Sequence, residues 1–142
     1  SELEEVSIVE RTTTGQAPTV EPVLDQAALI RLQDLVRRLP TSTDVHRYAV
    51  RLARATRPGE SAGELVNQMV SWGAGPRASQ YLALGARVRA ALRGHEVPSV
   101  DDVRAVAHGV LNHRVVLNFQ AESAGLTSNS IVDAVLNEVD PS

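Results

Sequence analysis

The 142-residue chain has no cysteine and no lysine. Without cysteine there are no disulfides, no thiolate metal ligands and no sulfur nucleophile. Without lysine there is no phosphate-loop lysine of the G-x-x-x-x-G-K-[ST] kind, no Schiff base and no lysine general base. All 14 basic residues are therefore arginines, permanently charged and suited to two-point contact with oxyanions. Aromatic residues make up only 3%, too few for the stacking platforms of single-strand nucleic-acid binders. The formal net charge of −3 opposes binding to nucleic acid through bulk charge. Methionine occurs once, at Met69; with no initiator, the chain reads as a processed or excised piece. No apolar run reaches the roughly 20 residues of a membrane span, and the opening SELEEVSIVERTTT is acidic where a secretory signal is basic and then apolar. These features predict a cytoplasmic chain without a membrane span.

What is present is a hydrophobic fraction of 43% against 22% charged, enough for one domain with a packed core. Leu3, Val6 and Val9 fall at helical spacing and predict a short helix over 2–11. Threonines and Gly15 end it, and the two prolines of QAPTVEPVL predict an extended strap over 16–24. The chain divides there, into 1–24 (helix and strap) and 25–142 (helical bundle). Asp25 caps the next helix, with Leu29, Leu32, Val36 and Leu39 on one face until Pro40. A second cap within 41–44 opens a helix whose inner face is Val45, Tyr48, Ala49, Leu52 and Thr56. Residues 60–70 read equally as loop or short helix. Pro76 suits the first position of a helix with face Ala78, Tyr81, Leu82, Gly85, Val88 and Leu92, stopping at Gly94. Ser99 and Asp102 have capping-box spacing ahead of Val103, Val106, Ala107, Val110 and Leu111. Val115 to Leu117 is a short apolar run of extended character, and Thr127 or Ser128 caps a last helix with Ile131, Val135 and Leu136 inward. The pattern is all-α: a small helical bundle preceded by one helix and a proline-containing strap.

Few residues offer chemistry. His108 and His113 stand five apart, on different helix faces rather than at the i, i+4 spacing of a zinc pair, so no metal site is predicted. Serine, histidine and aspartate occur only as scattered residue types, and triad catalysis is set aside. Arg47, Arg51 and Arg54 form a stripe whose ordinary reading is a solvated face, with phosphate or subunit contact as the other reading. Arg77 differs, because it follows Pro76 at the start of a helix. A cation there is opposed by the helix dipole by about 0.3–1 kcal/mol. The same end presents unpaired N–H groups that attract phosphate, and an arginine beside them adds a planar fork for its oxygens. The competing reading has Arg77 bending away to an acid around 60–64.

The stretch VSWGAGPRAS around Arg77 resembles the V-x-x-G-A-S-P-R-A segment that opens the sensor-2 helix in the lid domain of MoxR-type AAA+ ATPases. LRGHEVPSVDDVRAVAHGVLNHRVVLN is similar to the family's following helix, restart and closing L-x-H-R-I-V-L, and LQDLVRRLPTSTDVHRYAVRLARATR to its first two lid helices. SELEEVSIVERTTTG resembles the end of the ATPase core. Gly75 stands where the family commonly has serine, and Ser99 follows a displaced Pro98. The resemblance implies a lid that closes over ATP and magnesium held by an absent core domain, coupling ATP binding and hydrolysis to chaperone-like remodelling. Gly75, Pro76, Arg77 and Ala78 would then form the nucleotide-facing turn, with Arg77 as the sensor directed at the terminal phosphate. It also implies ring assembly, usually as hexamers, with Arg47, Arg51 and Arg54 available to a neighbouring subunit, and partners bearing von Willebrand factor A domains. By itself such a fragment is expected not to hydrolyse ATP. An arginine-striped module binding nucleic acid or protein is the alternative, and a purely structural oligomerisation domain a third.

Overall fold

Where the sequence places a side-chain oxygen ahead of an apolar repeat, a helix begins. The computed structural model describes residues 1–15 and 20–141. Among the described residues there are eight α-helices: α1 (Glu2–Thr12), α2 (Gln26–Arg38), α3 (Thr43–Ala55), α4 (Glu64–Met69), α5 (Pro76–Leu92), α6 (Val100–Leu111), α7 (Phe119–Ser123) and α8 (Ser128–Glu138). Two short strands, β1 (Val70–Trp72) and β2 (Val116–Leu117), pair antiparallel with Val70 opposite Leu117 and Trp72 opposite Val116. The all-α expectation holds. Ser42 Oγ accepts the Val45 N–H at 3.3 Å to start α3, and Asn118 Oδ1 accepts the Ala121 N–H at 2.9 Å to start α7. Thr127 and Ser130 cap α8 reciprocally. No helix among the described residues is long and apolar enough to cross a membrane.

The chain forms two units, Ser1–Arg31 and Leu32–Ser142. In the first, α1 starts with a Ser1–Glu4 capping box and buries none of its residues. The strap expected over 16–24 has its first part, 16–19, outside the described residues; 20–25 are neither helix nor strand. Asp25 Oδ1 then accepts the Ala28 N–H at 2.6 Å and opens α2. The face expected along α2 is not a buried one: Leu29 and Leu32 are exposed, Val36 and Leu39 half-buried.

In the second unit the core is built from Tyr48 and Leu52 of α3, Val66 of α4, Leu82 of α5, Val103 and Leu111 of α6, and Ile131, Val132 and Val135 of α8. Arg104 of α6 ties three helices together: its Nη1 donates to the Tyr48 hydroxyl at 2.7 Å and to the Leu136 carbonyl at 2.8 Å. α5 packs most extensively on α6, and the expected face holds in part: Ala78 and Leu82 are buried and Gly85 is half-buried against Val106. Ala78, Leu82, Ala86 and Ala90 are buried, while Tyr81, Val88 and Leu92 are exposed. Apart from Leu82 the buried positions are alanines, and the close approach to α6 comes at Gly85. At Gly85 an added Cβ would lie 3.2 Å from Val106 Cγ2, tighter than ordinary contact. Tyr81 turns outward instead, and Arg114 lies over its ring at 5.3 Å.

Candidate functional site at the start of α5

The chain enters α5 through β1 and the turn Gly73-Ala74-Gly75. Gly73 is required sterically: an added Cβ would collide with the Thr56 carbonyl and lie 2.6 Å from Arg57 Cα. The turn is thus laid directly on the backbone at the end of α3. Two hydrogen bonds hold it there. The Ala74 N–H donates to Thr56 Oγ1 at 2.9 Å, and Arg57 Nε donates to the Ala74 carbonyl at 2.6 Å. Thr56 and Ala74 are both fully buried.

Beyond this lock Gly75 is the N-cap, without a side-chain cap bond, and Pro76 occupies the first helical position. Arg77 follows, exposed. Among the described residues its guanidinium has no hydrogen-bond or ion-pair partner. The acids that could have claimed it do not: Glu64 accepts from Gln68 Nε2 at 2.9 Å, and Glu60 lines a hollow with Arg54, Arg57 and Ser61. Ala78 is buried, and its N–H is spent on the Gly75 carbonyl at 2.9 Å. The open part of the turn is therefore Gly75, Pro76 and Arg77. Electrostatically it joins a helix N-terminus to an uncompensated cation, an arrangement complementary to a polyanion.

The other candidate residues lie apart from this turn. Arg47 sits 3.9 Å from Asp44, Arg51 lies over the Tyr48 ring at 5.9 Å, and Arg54 Nη2 donates to Ser61 Oγ at 3.3 Å. Each stripe arginine is thus engaged on its own surface. His108 reaches Asp133 Oδ1 through Nε2 at 2.9 Å and Asn129 Oδ1 through Nδ1 at 3.3 Å, whereas His113 contacts Arg114. Among the described residues no three His, Asp or Glu side chains gather as metal ligands. The scattered-residue reading of serine overlooks one pattern: Gly59-Glu60-Ser61-Ala62-Gly63 spells G-x-S-x-G. A nucleophile elbow needs that pattern between a strand and a helix; Ser61 lies between two helices, α3 and α4. The residues that sequence reasoning misses at the site itself are Thr56 and Arg57, whose partners are 18 and 17 positions away.

Residues 62–135, which contain Arg77 and the whole of α5, match the AAA lid domain. The chain belongs to the AAA lid domain family. Two of its relatives carry the MoxR name. The chain is 33% identical over 125 residues to chaperone MoxR1 of Mycobacterium tuberculosis, covering 86% of this chain and 33% of that protein. It is 38% identical over 78 residues to protein MoxR of Methylorubrum extorquens, covering 51% of this chain and 23% of that one. The chain thus spans a third or less of these relatives. A crystal structure of a Cytophaga hutchinsonii protein proposed to be an ATPase superposes with a TM-score of 0.82 at 24% identity, covering 99% of this chain and 43% of the other; it shows the shared fold.

In this AAA lid the cap of α5 can be improved. A Cβ at Gly75 would meet nothing within 4 Å, and its φ of −75° and ψ of 179° suit any residue. Gly75→Ser supplies the missing side-chain acceptor. It is expected to raise unfolding stability by a few tenths of a kcal/mol, read as a higher urea midpoint; a lowered midpoint would show that the turn tolerates no side chain.

Proposed function

We propose that this AAA lid closes over ATP held by the core domain of its parent protein, with Arg77 directed at the terminal phosphates. The observation that carries the reading is the exposed, unpartnered Arg77 at the second position of α5, behind a turn locked to α3. When water attacks the γ-phosphorus and the bond to the β–γ bridging oxygen breaks, negative charge shifts onto that oxygen. A guanidinium fixed nearby stabilises it. Once phosphate leaves, Arg77 loses its counter-charge and the lid is free to rotate. Magnesium would be held by acids of the core. The name of MoxR1 as a chaperone supports coupling of this rotation to remodelling of client proteins within a ring, a hexamer by family resemblance, with partners that carry von Willebrand factor A domains. Exposed arginines such as Arg47, Arg51 and Arg54 would then face a neighbouring subunit.

The reading makes the nucleotide site a shared one. The isolated lid contributes one cation and one helix end, so titration calorimetry with ATP is expected to show no binding at micromolar concentrations, while the parent binds. Micromolar affinity in the lid alone would mean that the site lies elsewhere on this chain.

A further inference from the structure

We propose that Thr56 and Arg57 are positioning residues for Arg77, acting through the backbone of Ala74; this rests on the nucleotide-sensing reading of α5. Both hydrogen-bonding groups of Ala74 are taken by two consecutive residues at the end of α3: its N–H by Thr56 Oγ1 at 2.9 Å and its carbonyl by Arg57 Nε at 2.6 Å. The Thr56 hydroxyl donates to the Ala53 carbonyl at 2.8 Å, which leaves its lone pairs for the Ala74 N–H. Thr56 is fully buried, as is Ala74. An unmet N–H at Ala74 in that setting would be costly, so the bond is under strong pressure to persist.

Only Gly75 and Pro76 separate Ala74 from Arg77. Proline fixes its own φ near −65°, and Gly75 is extended. The direction in which α5 leaves the turn, and with it the origin of the Arg77 side chain, is set by where α3 holds Ala74. Loss of either bond lets the turn lift from α3. A shift of about 1 Å at a reacting centre can cost on the order of 10²-fold in rate.

The test is made in the full-length parent. Thr56→Val keeps the branched shape and removes the hydroxyl; Arg57→Met keeps the length and removes the donor. Each is expected to lower kcat for ATP by about ten- to a hundredfold with a much smaller change in KM, and Thr56→Ser is expected to restore the rate. Added to Arg77→Ala, Thr56→Val should lower turnover no further, because both act on one guanidinium. Should Thr56→Val fail to fold by its melting curve, Arg57→Met, at a partly exposed position, decides by the same criteria. Wild-type kcat in the folded variants, or losses that multiply with that of Arg77→Ala, overturns the positioning role. Wild-type turnover in Arg77→Ala alone overturns instead the sensing reading beneath it.

Discussion

Replacement of Arg77 by alanine in the full-length parent is expected to reduce ATP turnover by on the order of 10²- to 10³-fold and to leave the melting temperature of the lid where it was. The two halves of this expectation come from the same observation. Arg77 is exposed and, among the described residues, bonded to nothing in its own chain, so its removal deletes no folding contact. Substitutions at such positions stay within about 0.5 kcal/mol. Removing a cation from the positive end of α5 even relieves part of the dipole cost. A residue that costs its own fold something and gives it nothing is a candidate for a contact outside that fold. Arg77→Lys keeps the charge but loses the fork, and should fall between wild type and alanine. Steady-state phosphate release and thermal melting on the same three proteins read both halves. Unchanged turnover together with unchanged nucleotide affinity in Arg77→Ala would remove the sensing role.

That residue could be read from the sequence because its signal is local. Pro76 marks the first helical position, so the register of Arg77 against the helix end needs no tertiary knowledge. Capping was legible for the same reason: the Ser99–Asp102 box forms as spaced, with the Ser99 N–H donating to Asp102 Oδ2 at 2.9 Å. Features set by distant partners were not legible. β1 exists because Val70 and Trp72 meet Leu117 and Val116, more than forty positions on; three residues carry no periodicity of their own. The five-residue α7 has a local cap in Asn118 but is too short to show an apolar repeat. The inner face of α5 is legible at Ala78 and Leu82 but not at Ala86 and Ala90, because valine, tyrosine and leucine at 88, 81 and 92 outrank alanine in any hydrophobicity count and yet are exposed. The Thr56 and Arg57 lock had one local trace, Gly73, which marks a close backbone approach but not what is approached.

The largest stability effect is expected at the opposite end of α5. Asp102 is 2% exposed; it pairs with Arg89 of α5 and accepts from the Ser99 N–H and hydroxyl, each at 2.9 Å. Burial by itself would push the Asp102 carboxyl up, but the Ser99 backbone and hydroxyl bonds and the Arg89 guanidinium together outweigh it and hold it below its ordinary range. Asp102→Ala removes the cap and the counter-charge at once. The expected loss is about 3 kcal/mol, the low end for a broken buried pair, because Arg89 keeps 24% of its side chain in solvent. Asp102→Asn retains a hydrogen-bond acceptor for Ser99 and should lose about 1–2 kcal/mol. Since the folded carboxyl binds its proton less tightly than the unfolded one, the charge-dependent part of this stabilisation is complete above about pH 4 and is lost as pH falls through the lower folded value. Urea unfolding should therefore show a gap between wild type and Asp102→Asn that is full at pH 7 and narrows in acid. A gap independent of pH would assign the stabilisation to hydrogen bonding without charge. Arg89 and Arg77 are twelve residues apart (89 minus 77) on α5, about 18 Å along the helix. Well below the melting temperature, ATP turnover in the parent should therefore survive Asp102→Asn, separating the end of α5 that stabilises the lid from the end proposed to meet phosphate.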